Sequence, residues 1–136
     1  MLCNMTAADI QLLAQNWVAY WKAGHESPER EELFWVNERE WALVADQPKV
    51  AFEMVIEVLR IDSSDKIQEV LSAGPLEDLL AKHGELIIES VEREAKANQK
   101  FAQLLGGVWQ NTMADEIWRR VQAVWDRKGW DGNPET

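Results

Sequence analysis

Pro48-Lys-Val-Ala-Phe-Glu-Met-Val-Ile-Glu-Val-Leu59 decides the fold class. Proline at the first helical position forfeits no hydrogen bond, and Ala51, Met54, Val55, Val58 and Leu59 then recur at three- and four-residue steps. That spacing marks one broad face of an α-helix. The segment is apolar over much of its circumference, so it is expected to be the central helix against which the others pack.

The flanking sequence repeats the helical signal. Thr6 with Asp9 forms a cap, and Ile10, Leu13, Trp17 and Trp21 follow at helical spacing until Gly24. Ser27-Pro28, with Glu29, Glu31 and Glu32 at the positive end of the dipole, opens a second helix expected to run to about Ala45. After the central helix, Ser63 or Ser64 caps a short segment through Leu71 that Gly74 should end, and Pro75 opens another that Gly84 should end. Ile87, Ile88, Val91 and Ala95 define a further helix broken near Asn98, followed by Phe101, Leu104 and Leu105 running into Gly106-Gly107. A last helix, from about Ala114 to Lys128, carries Ile117, Val121 and Val124 and stops at Gly129, leaving a tail through Thr136. Alternating strand patterns are almost absent. The expectation is one all-α domain over residues 1–136, ordered from about 6 to 128, with seven or eight short helices in antiparallel pairs. They should form a compact bundle with some helical-repeat character.

Composition excludes several function classes. The formal net charge is −10, which repels a polyanion, so nucleic acid is not an expected partner. The charge is uneven: residues 26–78 carry 14 acidic and 5 basic side chains, whereas residues 79–136 carry 9 and 8. Such an acidic stretch serves solubility or steers a basic protein partner. Cys3 is the only cysteine, no early run resembles a secretion signal, and no stretch approaches the ~18 apolar residues of a membrane span. A cytoplasmic protein without a membrane attachment is expected.

Catalytic and metal-binding patterns are missing. No glycine-rich phosphate loop, nucleophile elbow or Cys-x-x-Cys is present, and neither histidine has a glutamate three residues before it. No cofactor or metal is implied. His83 precedes Gly84, where it could hydrogen-bond the carbonyls ending a short helix; a sharper reading pairs it with Glu77 or Asp78 as acid and base. His25, next to Gly24, has no evident partner. Glu53/Glu57 and Glu85/Glu89/Glu92 share helix faces, and Glu57–Arg60, Glu89–Arg93, Glu92–Lys96, Asp115–Arg119 and Glu116–Arg120 are at pairing distance, which describes solvated, partly paired faces.

Eight tryptophans remain, at positions 17, 21, 35, 41, 109, 118, 125 and 130. Each buries roughly 150–250 Å² while carrying an N–H that needs a partner, so the residue collects in cores and at recognition surfaces alike. Trp17, Trp21, Trp41 and Trp109 are assigned to packing faces. Trp118 and Trp125 form a stripe displaced from Ile117, Val121 and Val124, and Leu33-Phe34-Trp35-Val36 covers too much of a helix for one packing face. Trp35, Trp118 and Trp125 are therefore the candidate binding residues, and Trp130 has no clear packing face.

Ala73-Gly-Pro-Leu-Glu-Asp-Leu-Leu80, His83-Gly84, Val91-Glu92, Phe101, Leu104, Gly107-Val-Trp109, Met113 and Trp118-Arg-Arg-Val121 carry a resemblance. Together with Trp35 in its Leu-Phe-Trp context, the chain resembles a family of short uncharacterised bacterial helical proteins, a domain of unknown function. The likeness extends over about residues 9–128. It implies a small helical protein and supplies no activity, so no catalytic residue is carried over. The function expected from the residues is an acidic, non-catalytic protein-binding module, immunity-like or regulatory, that meets a basic surface. Two alternatives stand beside it: an enzyme or ligand binder with a pocket of Trp35, Trp109 or Trp118 rimmed by His83, Glu77 and Asp78, and a homodimer through Trp118 and Trp125.

Overall fold

Helices follow one another almost without interruption in the computed structural model: α1 (Ala7–Lys22), α2 (Pro28–Glu32), α3 (Trp35–Asp46), α4 (Pro48–Ile61), α5 (Asp65–Leu71), a π-helical turn (Ser72–Leu76), α6 (Glu77–Ala97), α7 (Gln99–Leu105) and α8 (Asp115–Val124). Residues 5–128 and 130 are described; Cys3, Gly129 and the tail from residue 131 to 136 lie outside them. No strand occurs among the described residues, and the protein is all-α. No helix among them is long and apolar enough to cross a membrane.

The core forms where the sequence places it. Ala51, Met54, Val55, Val58 and Leu59 of α4 are all buried. α1 packs most extensively on α4 and α6 on α8, so the principal pairings skip over intervening elements. Stacked repeats would pair successive neighbours, and this architecture is a bundle. At the start of α1, Thr6 Oγ1 accepts from Asp9 N–H at 3.1 Å while Thr6 N–H donates to Asp9 Oδ2 at 3.0 Å, a reciprocal cap.

Several boundaries differ from expectation, each for a local reason. The helix expected from Pro28 to Ala45 breaks at Leu33, whose φ/ψ of −94°/2° re-aims the chain and lets Val36 enter the core while Phe34 and Trp35 leave it. Gly74 does not end a helix. A π-helical turn carries α5 into α6 and holds Pro75 within it, a geometry that tolerates the missing N–H better than a regular turn does. Gly84 likewise does not stop α6, which continues to Ala97 through a kink at His83 (φ −134°, ψ 31°). Gly84 is instead needed for close packing: a Cβ there would lie 2.9 Å from Ile117 Cγ1 on α8.

α8 ends at Val124 and not at Lys128. Trp125 turns extended, and the following strap returns along α7, where Asp126 N–H donates to the Ala102 carbonyl at 2.9 Å. That tertiary bond outcompetes another turn of helix. One pairing along the helices also shifts, because Arg120 bonds not to Glu116 but across to Glu92 on α6, with Nη2–Oε1 at 2.7 Å and Nε–Oε2 at 2.8 Å.

Candidate binding surface

The surface begins where α1 hands over to α2 and α3. Ser27 Oγ accepts from Arg30 N–H at 3.1 Å, Pro28 starts the five-residue α2, and Phe34 precedes α3 without any side-chain cap. Seven residues apart on that segment, Phe34 and Trp41 share a helical face, and their rings meet edge-on at 6.1 Å. Tyr20 of α1 approaches Phe34 at 6.2 Å. Phe34, Trp35 and Trp41 are 44%, 43% and 54% exposed, and Leu12 of α1 is 58% exposed. Large apolar side chains left in water beside one another mark interaction sites more often than single exposed leucines do.

Two shallow depressions flank the Phe34-Trp35 pair. One, about 320 Å³, is lined by Met5, Leu12, Leu13 and Trp35 with Asp9 and Arg39. The other, about 220 Å³, lies between Phe34, Tyr20, Ser27, Arg30, Glu26 and Glu31. Arg30 is held by aromatic faces, its guanidinium carbon 4.8 Å from the Tyr20 ring centre and 5.0 Å from that of Trp21. Its Nη1 stands 3.1 Å from Nδ1 of His25, so His25 has the partner that its sequence context did not reveal. Residues 26–46 carry seven acidic side chains against Arg30 and Arg39, and Glu29, Glu31, Glu32 and Glu38 are exposed. An aromatic patch is thus set in an acidic surround.

Beneath it lies a carboxylate the sequence reading did not single out. Glu40 is 4% exposed and shares the inward face of α3 with Val36, Leu43 and Val44. Its Oε2 has no hydrogen-bond partner, nor has Trp17 Nε1, although the indole lies near enough to favour the carboxylate's charge. Burial pushes the Glu40 carboxyl up to about 7, Asp78 adds to the rise, and Lys82 and Trp17 oppose it. The available signal was positional: Glu40 falls in the middle of the apolar stripe that Val36, Leu43 and Val44 draw on the helix. None of the depressions described for this surface opens on Glu40, so it underlies the patch without touching what binds there.

The remaining sequence-derived residues are dispersed. Glu77 accepts from the Trp109 backbone N–H at 2.9 Å and from Asn111 Nδ2, which pins the loop before α8. Asp78 is half-buried, and burial raises its carboxyl above the ordinary range. His83 sits at the α6 kink, where no hydrogen bond engages its ring, and borders a depression lined by Leu80, Gly84, Leu86, Ala114 and Ile117. No tryptophan lines that depression, so the pocket expected from Trp35, Trp109 or Trp118 around His83, Glu77 and Asp78 does not form. No group of three or more His, Cys, Asp or Glu among the described residues could hold a metal ion.

The tryptophans divide differently from expectation. Trp17 is buried at 1%, but Trp41 and Trp109, assigned to packing, are exposed at 54% and 59%. Trp35 faces solvent beside the first depression. Trp118 and Trp125 are half-buried, pack against the core and stack edge-on at 5.2 Å. Trp130 has a packing site after all: its Nε1 donates to the Gln103 carbonyl at 2.6 Å, and its ring lies over Gly107.

The chain belongs to a family of unknown function (DUF6869), whose model matches residues 23–129, a span that takes in α2 to α8. No curated protein and no solved structure matches it.

Proposed function

We propose that this member of a family of unknown function is a non-catalytic binding module that docks a protein with a basic surface onto the aromatic patch of α1–α3. The carrying observation is the cluster of exposed Phe34, Trp35 and Trp41, joined by Leu12 of α1, beside a segment (residues 26–46) holding six acidic side chains besides the buried Glu40 and two basic ones. Aromatic side chains of this kind supply most of the binding energy at protein interfaces, and a depression beside Trp35 accepts an apolar anchor from the partner. The acidic surround contributes a different quantity. It accelerates encounter with a positive surface and disfavours acidic competitors by like-charge repulsion. An immunity-like or regulatory role, in which the module covers a partner's basic surface, is the form of action this combination suits.

A defined probe tests the reading. An amphipathic helical peptide of Leu and Lys, titrated against the protein by tryptophan emission, should bind and should weaken as salt is raised. Trp35→Ala with Trp41→Ala should weaken it by about thirtyfold, the loss of one interface hot spot. Equal binding by wild type and double variant, or equal binding of a Leu and Glu peptide, would sink the proposal.

A further inference from the structure

Glu40 is the only charged side chain among the buried residues of the described chain, and it lies on the inward face of α3, the helix whose outer side carries Trp41. Four buried side-chain atoms among the described residues lack a hydrogen-bond partner: Trp17 Nε1, Trp21 Nε1, Arg30 Nε and Glu40 Oε2. All four belong to α1–α3. An ionised carboxylate with an unpaired oxygen in an apolar interior is strongly disfavoured, whereas the protonated acid is tolerated there. Burial therefore makes the seat of α3 depend on a proton.

We propose that Glu40 is a proton-controlled latch: α3 is held against α1 and α6 while the Glu40 carboxyl keeps its proton, and that seat is weakened when the carboxyl ionises. α3 carries Trp41 on its outer face and Trp35 at its first residue, one position from Glu40 and five positions from it respectively. Anything that draws Glu40 towards water must therefore re-present those rings. The charged groups acting on Glu40 are Asp78 and Lys82 of α6; α1 contributes the Trp17 indole, and α4 and the π-helical turn, which also pack on α3, bring no charged group to bear on it. Asp78 resists ionisation of Glu40, Lys82 promotes it, and burial outweighs both, which places the change near neutrality at about 7. The consequence for docking rests on the proposed function; the latch itself does not.

The direction in pH is fixed by the raised value. Unfolded, Glu40 would release its proton near the ordinary 4.5, and folded it holds it to about 7, so stability is full below 4.5 and declines as pH rises to about 7. Above that it levels off.

Urea unfolding of the full chain at about pH 5 and about pH 8 tests this, with the unfolding equilibrium constant of wild type expected to rise by at least about tenfold between the two. Glu40→Gln, which is neutral at both, should show no such rise. Iodide quenching of tryptophan should increase with pH in wild type and stay constant in the variant. Matching pH profiles in wild type and Glu40→Gln would overturn the latch. Should the variant not fold, carboxyl-carbon NMR of wild type decides: a Glu40 midpoint at or below the ordinary 4.5 overturns the latch, and one near 7 supports it. If the Leu and Lys peptide binds at neither pH while the unfolding difference persists, the docking reading fails and the latch stands. If the peptide binds and the unfolding difference is absent, the reverse holds.

Discussion

Aromatic residues crowd both ends of this chain, and apart from the exposed Trp109 and the buried Trp17 the two ends hold them differently. In the C-terminal region Trp118 and Trp125 stack on each other, the Arg127 guanidinium lies 5.0 Å from the Trp109 ring centre and 5.1 Å from that of Trp125, and the Trp130 N–H donates to a backbone carbonyl. In α1–α3 the rings of Phe34, Trp35 and Trp41 face solvent, and two indole N–H groups beneath them have no hydrogen-bond partner. The same side chain closes a structure in one place and leaves it open in the other. What separates the cases is whether polar atoms are paired and whether neighbouring residues have been reduced to glycine to admit the ring, because both features lower free energy only in the closed fold.

The largest expected effect breaks the closed end. A Cβ on Gly106 would lie 2.3 Å from the Asp126 carbonyl oxygen and 2.8 Å from Arg127 Cα, both backbone atoms that cannot swing aside. Gly106→Ala should therefore destabilise by about 3 kcal/mol in urea unfolding, by detaching the strap. Gly107→Ala meets the Trp130 ring at 2.6 Å and Ser72 Oγ at 2.7 Å, which are side chains that can yield in part. It should cost about 2 kcal/mol, and part of that cost should vanish in a Trp130→Ala background. Independent, additive costs would show that Trp130 is not what requires the glycine.

These glycines also mark the limit of what the chain says about itself. The all-α class, the α1 cap, the α4 face and the break at Asn98 follow from periodicity and capping, which are local and printed in sequence order. Gly84 reads as a helix stop and does not act as one, whereas Gly106 does cap the end of α7; the further use of both, close approach to Ile117 and Asp126, depends on segments 33 and 20 positions away. Trp130 failed to show a packing face for the same reason. On the open side, Trp35 was legible from the crowded Leu33–Val36 run. The i, i+7 spacing of Phe34 and Trp41 and the place of Glu40 in the Val36, Leu43 and Val44 stripe were also printed in sequence order; which of those faces turns to solvent depended on the break at Leu33, which no local rule predicts.

Acid should separate the patch from the rest of its own half of the molecule. Lys22 of α1 donates to Asp62 Oδ2 at 2.6 Å, and this bond, with help from Ser64, holds the Asp62 carboxyl down at about 2. A depressed carboxyl contributes stability that is present above its ordinary 3.8 and is lost as pH falls from there towards 2. Lys22→Met should reduce the drop in urea midpoint between about pH 4.5 and about pH 2.5 relative to wild type. The α1–α4 junction is thus a satisfied contact a few residues from unsatisfied ones. An unchanged acid profile in Lys22→Met would mean that the ion pair is absent in solution.

The smallest stability effect carries the sharpest statement about the open end. Trp35→Ala and Trp41→Ala remove side chains about half of which faces water, so each should cost no more than about 1 kcal/mol, less than either glycine substitution. Iodide should nonetheless lose much of its quenching in the double variant, because Trp35, Trp41 and Trp109 are the three tryptophans most open to solvent. A large destabilisation with little change in quenching would place those rings in a core and erase the contrast between the two ends. A small stability cost with quenching lost would leave two tryptophans that the fold does not require, and an aromatic residue that the fold does not require is available to a partner.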